Sequence, residues 1–270
     1  MTIQWYPGHM TRAKRIIRED LKIVDGVIEV IDARVPLSSR NPNFRDLTSK
    51  PRILALAKID LADAGLTAEW LNYWRDRGER ALGLDLLADR GLRDIVSTVQ
   101  ELFPTLNRNP RLLVMGIPNV GKSTLINRLT KRRGARVGAR PGVTRGKQWL
   151  AASGMQLLDS PGILWPKFED QEVARKLALV ASIRDEVFDQ VEIAWWLLNY
   201  LAENYLGNLK ERYGKLDKAY PLEDIGQKRG CLLPGGVVDL NQAAAVVLKD
   251  FRTGKLGPIT LDGKPPKAEV

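Results

Sequence analysis

The sequence predicts an α/β domain built on a mainly parallel sheet, followed by a smaller, mostly helical domain. Strand-like apolar runs alternate with helix-like periodicity through the first part of the chain. A glycine-rich loop sits at one strand-to-helix junction, and strand signals fade after about residue 185. We therefore expect an α/β domain over 1–185 and a helical domain over 186–270.

The elements follow in order. Met10 to Lys22 places Ala13, Ile16, Ile17 and Leu21 on one face and Arg12, Arg15, Arg18 and Lys22 elsewhere, the pattern of an amphipathic basic helix. Gly26–Asp32, Arg52–Ala57, Ala81–Leu84, Arg111–Met115 and Met155–Leu158 read as buried strands. Leu92, Ile95, Val96, Val99 and Leu102 recur at three- and four-residue steps, as on a helix. Pro104–Pro110 reads as a loop inside the α/β part. Residues 187–205 and 240–251 read as helices, separated by a Gly/Pro-rich stretch from Gly226 to Gly236.

Composition narrows the class. The 270 residues are 44% hydrophobic and 27% charged, as in an ordinary globular protein. One cysteine, Cys231, excludes an intrachain disulfide, and with the single histidine, His9, it excludes a Cys/His zinc cluster. No apolar run approaches the ~18 residues of a membrane helix. The first residues lack the basic-then-apolar order of a signal peptide, so a cytoplasmic location without membrane contact is expected. The net charge of +10 favours a polyanionic partner. It lies in the first part: nine basic residues and no acidic one fall between Lys122 and Lys147.

Gly116-Ile117-Pro118-Asn119-Val120-Gly121-Lys122-Ser123 matches the phosphate-loop pattern G-x-x-x-x-G-K-[ST], with a strand before it and a helix from Thr124 after it. Backbone N–H groups around Val120, Gly121 and Thr124 would turn onto phosphate oxygens at the positive end of that helix. Lys122 would reach the β- and γ-phosphates, and the Ser123 hydroxyl would ligate Mg²⁺. Asp159-Ser160-Pro161-Gly162 follows the strand Met155–Leu158. Asp159 would hold Mg²⁺ through water, and the Gly162 N–H would bond the γ-phosphate and sense its loss. Thr144, after Pro141-Gly142-Val143, offers a second hydroxyl for Mg²⁺.

Ala57-Lys58-Ile59-Asp60, also at a strand end, resembles the base-reading pattern N-K-x-D. A carboxylate at Asp60 would accept from N1–H and N2–H₂ of guanine, a pair that adenine cannot supply. The Lys58 stem would pack on the base plane, and a backbone N–H at Leu86 would meet guanine O6. These base motifs precede the phosphate loop, an order that resembles circularly permuted GTPases.

Further segments narrow the resemblance. Gln4-Trp5-Tyr6-Pro7-Gly8-His9-Met10, Asp32-Ala33-Arg34-Val35-Pro36 with Asn41-Pro42, and Asp159 to Lys167 resemble signatures of the RbgA/YlqF family of ribosome-assembly GTPases. Arg229-Gly230-Cys231, Gly235-Gly236 and Asp250 to Gly257 do so too. The resemblance covers nearly the whole chain. It departs at Ala57, where the family usually has an Asn that ties the base loop to the phosphate loop, and at Asp85-Leu86, where Ser-Ala is usual.

The resemblance implies slow GTP hydrolysis that the large ribosomal subunit accelerates, a role in late maturation of that subunit, and a helical C-terminal domain that helps bind ribosomal RNA. Partners would be GTP, GDP, the large subunit and its rRNA, without DNA, for a protein that is monomeric when free. It implies Mg²⁺, and it casts Asn119 as a K⁺ ligand, against the plainer reading of a loop Asn capping its own backbone. It also points to His9 as the catalytic residue, since Ile163 stands where a Ras-like protein has its water-orienting Gln. The basic run suggests that Arg132, Arg133, Arg136 and Arg140 contact RNA. Two alternatives stay open: a nucleotide-gated RNA-binding module with incidental hydrolysis, and a P-loop ATPase.

Overall fold

The run Gly26–Asp32 is buried along its whole length and forms β1, the strand about which the sheet is organised. The computed structural model describes residues 10–45, 47–131, 148–164, 168, 170–215 and 221–267. Beside β1 lie β2 (Arg52–Ala57), β3 (Arg80–Leu84), β4 (Arg111–Met115), β5 (Leu150–Ala152) and β6 (Met155–Asp159), in the order β3-β2-β1-β4-β6-β5. Every pairing is parallel except that of β5 with β6. Of the four strands between the edges, β2 and β4 carry continuous apolar runs after their first residue, as expected of a sheet covered on both faces. β5 is an addition that the sequence reading did not anticipate.

This order places the site. From β1 the chain steps outward through β2 and β3, then returns to the far side of β1 for β4. The strand order reverses between β1 and β4, and in open α/β sheets ligands bind outside the carboxyl ends of the strands at such a reversal.

Helices cover this sheet. α1 (Met10–Leu21) contributes Ile17 and Leu21 to a cluster with Val27, Leu113, Met115, Leu158 and Ile163. The short α2 (Pro42–Arg45) adds Phe44 to the same cluster. α3 (Ala64–Arg75) begins at Asp63, whose Oδ1 accepts the Leu66 N–H at 2.8 Å, and buries Trp70 and Trp74 against Ile31, Leu54, Leu56 and Ala81. α4 (Leu92–Leu102) buries Ile95 and Val99, in line with its periodicity. α5 (Lys122–Leu129) follows the phosphate loop and includes Lys122 and Ser123.

The chain divides into two units, one of Tyr6–Pro166 with Thr260–Val270, the other including Lys167–Ile259. The second holds α6 (Gln171–Leu179), α7 (Gln190–Asn204), α8 (Leu206–Tyr213), α9 (Pro221–Lys228) and α10 (Leu240–Arg252). Aspartates start three of them: Asp170, Asp189 and Asp239 accept first-turn N–H groups of α6, α7 and α10.

This division differs from the expected border at 185 in two ways. α6 belongs with the helices because Arg252 at the end of α10 donates to the carbonyls of Ala178 (2.9 Å) and Leu179 (3.1 Å) and pairs with Asp185. A cation on the last carbonyls of α6 satisfies groups that the helix itself leaves open. The residues from Thr260 onward belong with the sheet, where they bond the loop after β1.

Candidate active site

The parallel strands bring their carboxyl ends to the same end of the sheet. β4 delivers the phosphate loop, starting at Gly116, where any Cβ would collide with the Val30 carbonyl of β1. Asn119 (φ 60°) and Gly121 (φ 109°) take left-handed turns that bring the loop into α5. Val120 is fully buried beneath it, Ser123 is half-buried and Thr124 is exposed.

Lys122 is 8% exposed, and its Nζ donates to the Ile117 carbonyl at 2.7 Å. Burial lowers its pKa to about 8, while the Asp159 carboxylate pulls the other way. Asp159 is the last residue of β6. Desolvation raises its carboxyl above the usual range, opposed by Lys122 and by a hydrogen bond from the Ser160 backbone. Beyond it, a Cβ placed on Gly162 would stand 3.0 Å from Lys122 Nζ and 3.0 Å from both N and Cα of Pro118. The D-x-x-G segment therefore lies directly against the phosphate loop, and a side chain at Gly162 would force the two apart.

The base-motif residues stand on the other side of the loop. Lys58 takes a left-handed backbone (φ 62°), and its Nζ donates to Asp32 Oδ2 at 2.8 Å and to the Asn119 carbonyl at 2.6 Å. Its ammonium thus ties the base loop to the phosphate loop, the task that an Asn at Ala57 would share. A Cβ on Gly121 would lie 3.4 Å from Leu86 Cδ1 and 3.6 Å from the Ala57 Cβ, so both residues pack at this junction. The Leu86 side chain is buried, and the preceding Asp85 accepts the N–H groups of Leu87 and Ala88 through Oδ1, which closes a tight turn. Asp60 is exposed on the one-turn helix Ile59–Leu61. Desolvation and then the nearby Asp85 raise its carboxyl, against a hydrogen bond from its own backbone.

Lys58, Asp60, Leu86, Asn119, Val120, Gly121, Lys122, Ser123, Thr124 and Gly162 lie on the loops or helix starts that follow the carboxyl ends of β2, β3, β4 and β6, and Asp159 closes β6 itself. His9, Thr144, Arg132, Arg133, Arg136 and Arg140 lie outside the described residues. For Mg²⁺, the Ser123 hydroxyl and the Asp159 carboxylate are the hard oxygen donors this ion prefers. Among the described residues no group of three or more His, Cys, Asp or Glu could hold a metal ion. These two donors therefore suit an ion that takes its remaining ligands from phosphate and water.

A family described as 50S ribosome-binding GTPase matches residues 111–217. Ribosome biogenesis GTPase A of Priestia megaterium is 44% identical, over 100% of this chain and 99% of its own. The chain belongs to the RbgA/YlqF family. YlqF solved with GDP bound superposes with a TM-score of 0.72 at 29% identity, covering 91% of this chain and 97% of the other. GNP-bound YlqF from T. maritima gives 0.69 at 29% identity, covering 92% and 97%. As an RbgA/YlqF member the protein is a GTPase with a circularly permuted P-loop fold: β2 and β3, which lead into the base-reading segments, precede the phosphate-loop strand β4 in the chain. Membership removes the ATPase alternative. Mg²⁺ dependence is typical of such GTPases.

Three site residues of this RbgA/YlqF member had no role in the sequence reading. Asp32 is fully buried at the end of β1 and accepts from Arg34 Nε (3.0 Å) and Nη2 (2.9 Å) as well as from Lys58. Burial alone would raise its carboxyl; Arg34 and Lys58 overcome this and hold it well below the usual carboxylate range. The third is Asn41, whose Nδ2 donates to the Ile163 carbonyl at 3.0 Å. Ile163 is 3% exposed and sits in the core, so its side chain faces away from water. The available signal was the spacing of Asp32, Arg34 and Asn41 just after a buried strand.

Among the described residues no helix is long and apolar enough to cross a membrane.

Proposed function

We propose that this GTPase is an assembly factor for late maturation of the large ribosomal subunit, acting from the cytoplasm as a monomer that binds GTP, GDP and rRNA rather than DNA. The observation that carries its nucleotide chemistry is the junction at Gly162, Lys122 and Pro118, with Lys58 joining Asn119 to Asp32 on the other side. Phosphate recognition, base reading and the D-x-x-G segment meet there.

In this reading the backbone of Val120, Gly121 and Thr124 and the Lys122 ammonium receive the phosphates. Asp60 accepts N1–H and N2–H₂ of guanine, and Leu86 N–H meets O6. The Gly162 N–H bonds the γ-phosphate, so loss of that phosphate releases the segment that Asn41 holds at Ile163. Ser123, Thr144 and, through water, Asp159 are the groups that would hold Mg²⁺. Bound there, the ion neutralises charge on the β- and γ-oxygens. Asn119 is the residue that would hold K⁺.

Ile163 cannot orient the attacking water, so another group must. We assign that task to His9, whose imidazole can align water and exchange a proton near neutral pH. Docking on rRNA would bring His9 into reach and couple turnover to assembly. The helical unit and the arginines at 132, 133, 136 and 140 would supply RNA contacts.

Co-sedimentation with large ribosomal subunits tests this reading. More protein should pellet with a non-hydrolysable GTP analogue than with GDP, and less as salt rises. Pelleting that ignores both the nucleotide and the salt would refute it.

A further inference from the structure

Neither composition nor any motif anticipates what happens from Thr260 onward. Thr260 and Leu261 are buried at 0% and 1% exposure in the sheet unit. The Leu261 N–H donates to the Arg34 carbonyl at 2.7 Å. Asp262 Oδ2 accepts the N–H groups of Leu37 and Ser38, both at 2.8 Å, and its Oδ1 accepts the Ser38 hydroxyl at 2.5 Å. Thr260 Oγ1 accepts the Asp63 N–H at 3.1 Å, and the Gly263 carbonyl accepts the Trp70 indole at 2.8 Å.

These partners belong to two loops, and each loop carries part of the nucleotide site. The loop after β1 holds Arg34, which orients Asp32, and Asn41, which holds the Ile163 carbonyl. The loop after β2 holds Lys58 and Asp60, and Asp63 closes it by capping α3. That second loop has little to fix it from within. It is a single helical turn entered through a left-handed Lys58 with no side-chain cap.

We propose that Thr260–Gly263 is a strap that positions the guanine-reading loop, with Thr260 and Asp262 as positioning residues for base selectivity and nucleotide retention. Asp262 acts through one loop: its carboxylate takes three hydrogen bonds there, and those to an ionised acceptor are the stronger kind. With them, Arg34 keeps Asp32 aligned, and Asp32 keeps the Lys58 ammonium on the Asn119 carbonyl. Thr260 acts on the other loop by pinning Asp63, three residues from Asp60. The selectivity part rests on the reading of Asp60 as the guanine contact.

The test uses the full chain with two readouts: the dissociation rate of fluorescent GDP, and the ratio of affinities for GTP and ITP, which lacks the N2 amine. Asp262→Ala should speed GDP release about tenfold and shrink the GTP/ITP ratio about threefold, less than the full loss of its three hydrogen bonds because the carboxylate acts on the nucleotide only through Arg34, Asp32 and Lys58. Asp262→Asn keeps a carbonyl for the Leu37 and Ser38 N–H groups and should stay within about threefold of wild type in release. Thr260→Val removes the acceptor for Asp63; it should shrink the ratio about twofold to threefold, and it serves where Asp262→Ala does not fold. A role confined to stability would lower the melting temperature while leaving release and ratio unchanged in the folded fraction, and that result overturns the strap. Asp60→Asn run in parallel separates the two assignments. A GTP/ITP ratio that it fails to move removes the base-reading role of Asp60, and the release rate then decides the strap alone.

Discussion

Nucleotide binding by this chain is expected to take up protons near pH 8, because its phosphate-loop lysine is held where an ammonium is costly. Burial lowers the Lys122 pKa from 10.5 to about 8, and Asp159 only partly offsets this. That drop corresponds to about 3 kcal/mol at 1.36 kcal/mol per decade. The sign follows from the charged form being disfavoured in the fold. Below pH 8 the fold carries a buried cation and the penalty is present in full; between pH 8 and 10.5 the folded lysine has lost its proton while the unfolded one keeps it, and the penalty fades. Phosphate oxygens reverse the preference and return the ammonium. At pH 8 about half the molecules should therefore gain a proton on binding GDP, and affinity should fall by roughly tenfold per unit as pH rises further. Calorimetry at pH 8 in two buffers of different ionisation enthalpy reads this uptake directly. No difference between the buffers would refute the placement of Lys122.

Three substitutions probe the rest of the site. Asp60→Asn exchanges an acceptor facing guanine for a donor and should cut GTP-over-ATP selectivity by at least about tenfold; competition binding checks it, and full selectivity would move base reading elsewhere. Gly162→Ala puts a methyl 3.0 Å from Pro118 and Lys122 Nζ, so the segment after β6 must back away. Overpacking of about 1–3 kcal/mol should weaken GTP relative to GDP by roughly 5- to 150-fold, and an unchanged GTP/GDP affinity ratio would contradict the contact. Ala57→Asn, beside Gly121, should tighten nucleotide binding by only about two- to fivefold, because Lys58 already joins the two loops. An unchanged dissociation constant would mean that the lysine bridge suffices.

What the sequence made legible has a physical pattern. The strands at Gly26–Asp32, Arg52–Ala57 and Arg111–Met115 were readable because burial on both faces demands nearly unbroken apolar runs, interrupted within β1 only by the buried Glu29. β5 was not: three residues joined to β6 by a turn at Ser153-Gly154 leave almost no period to read. α3 hid because its buried stripe is only Thr67, Trp70 and Trp74. The phosphate loop declared itself because glycine turns, a lysine and a helix start lie within eight consecutive positions. The supports of the site did not, because they join distant parts of the chain. Lys58 reaches Asp32 across 26 positions, Asn41 reaches Ile163 across 122, and Asp262 reaches Leu37 across 225. The compact units divide before α6 rather than at 185 for a similar reason, since Arg252 bonds α6 from 74 positions away.

His9→Ala addresses the chemistry itself. It should spare GTP and subunit binding yet lower subunit-stimulated turnover about ten- to a thousandfold, and stimulated turnover within about twofold of wild type would remove the catalytic assignment.

Single-turnover GTP hydrolysis with and without purified large ribosomal subunits tests the central claim most directly. Ile163 is buried and cannot orient water, so the isolated chain should hydrolyse GTP slowly and the large subunit should raise the rate at least about tenfold, the lower bound for adding one positioned catalytic group. An equal rate in both conditions would contradict the account and leave an RNA-binding module whose hydrolysis is incidental.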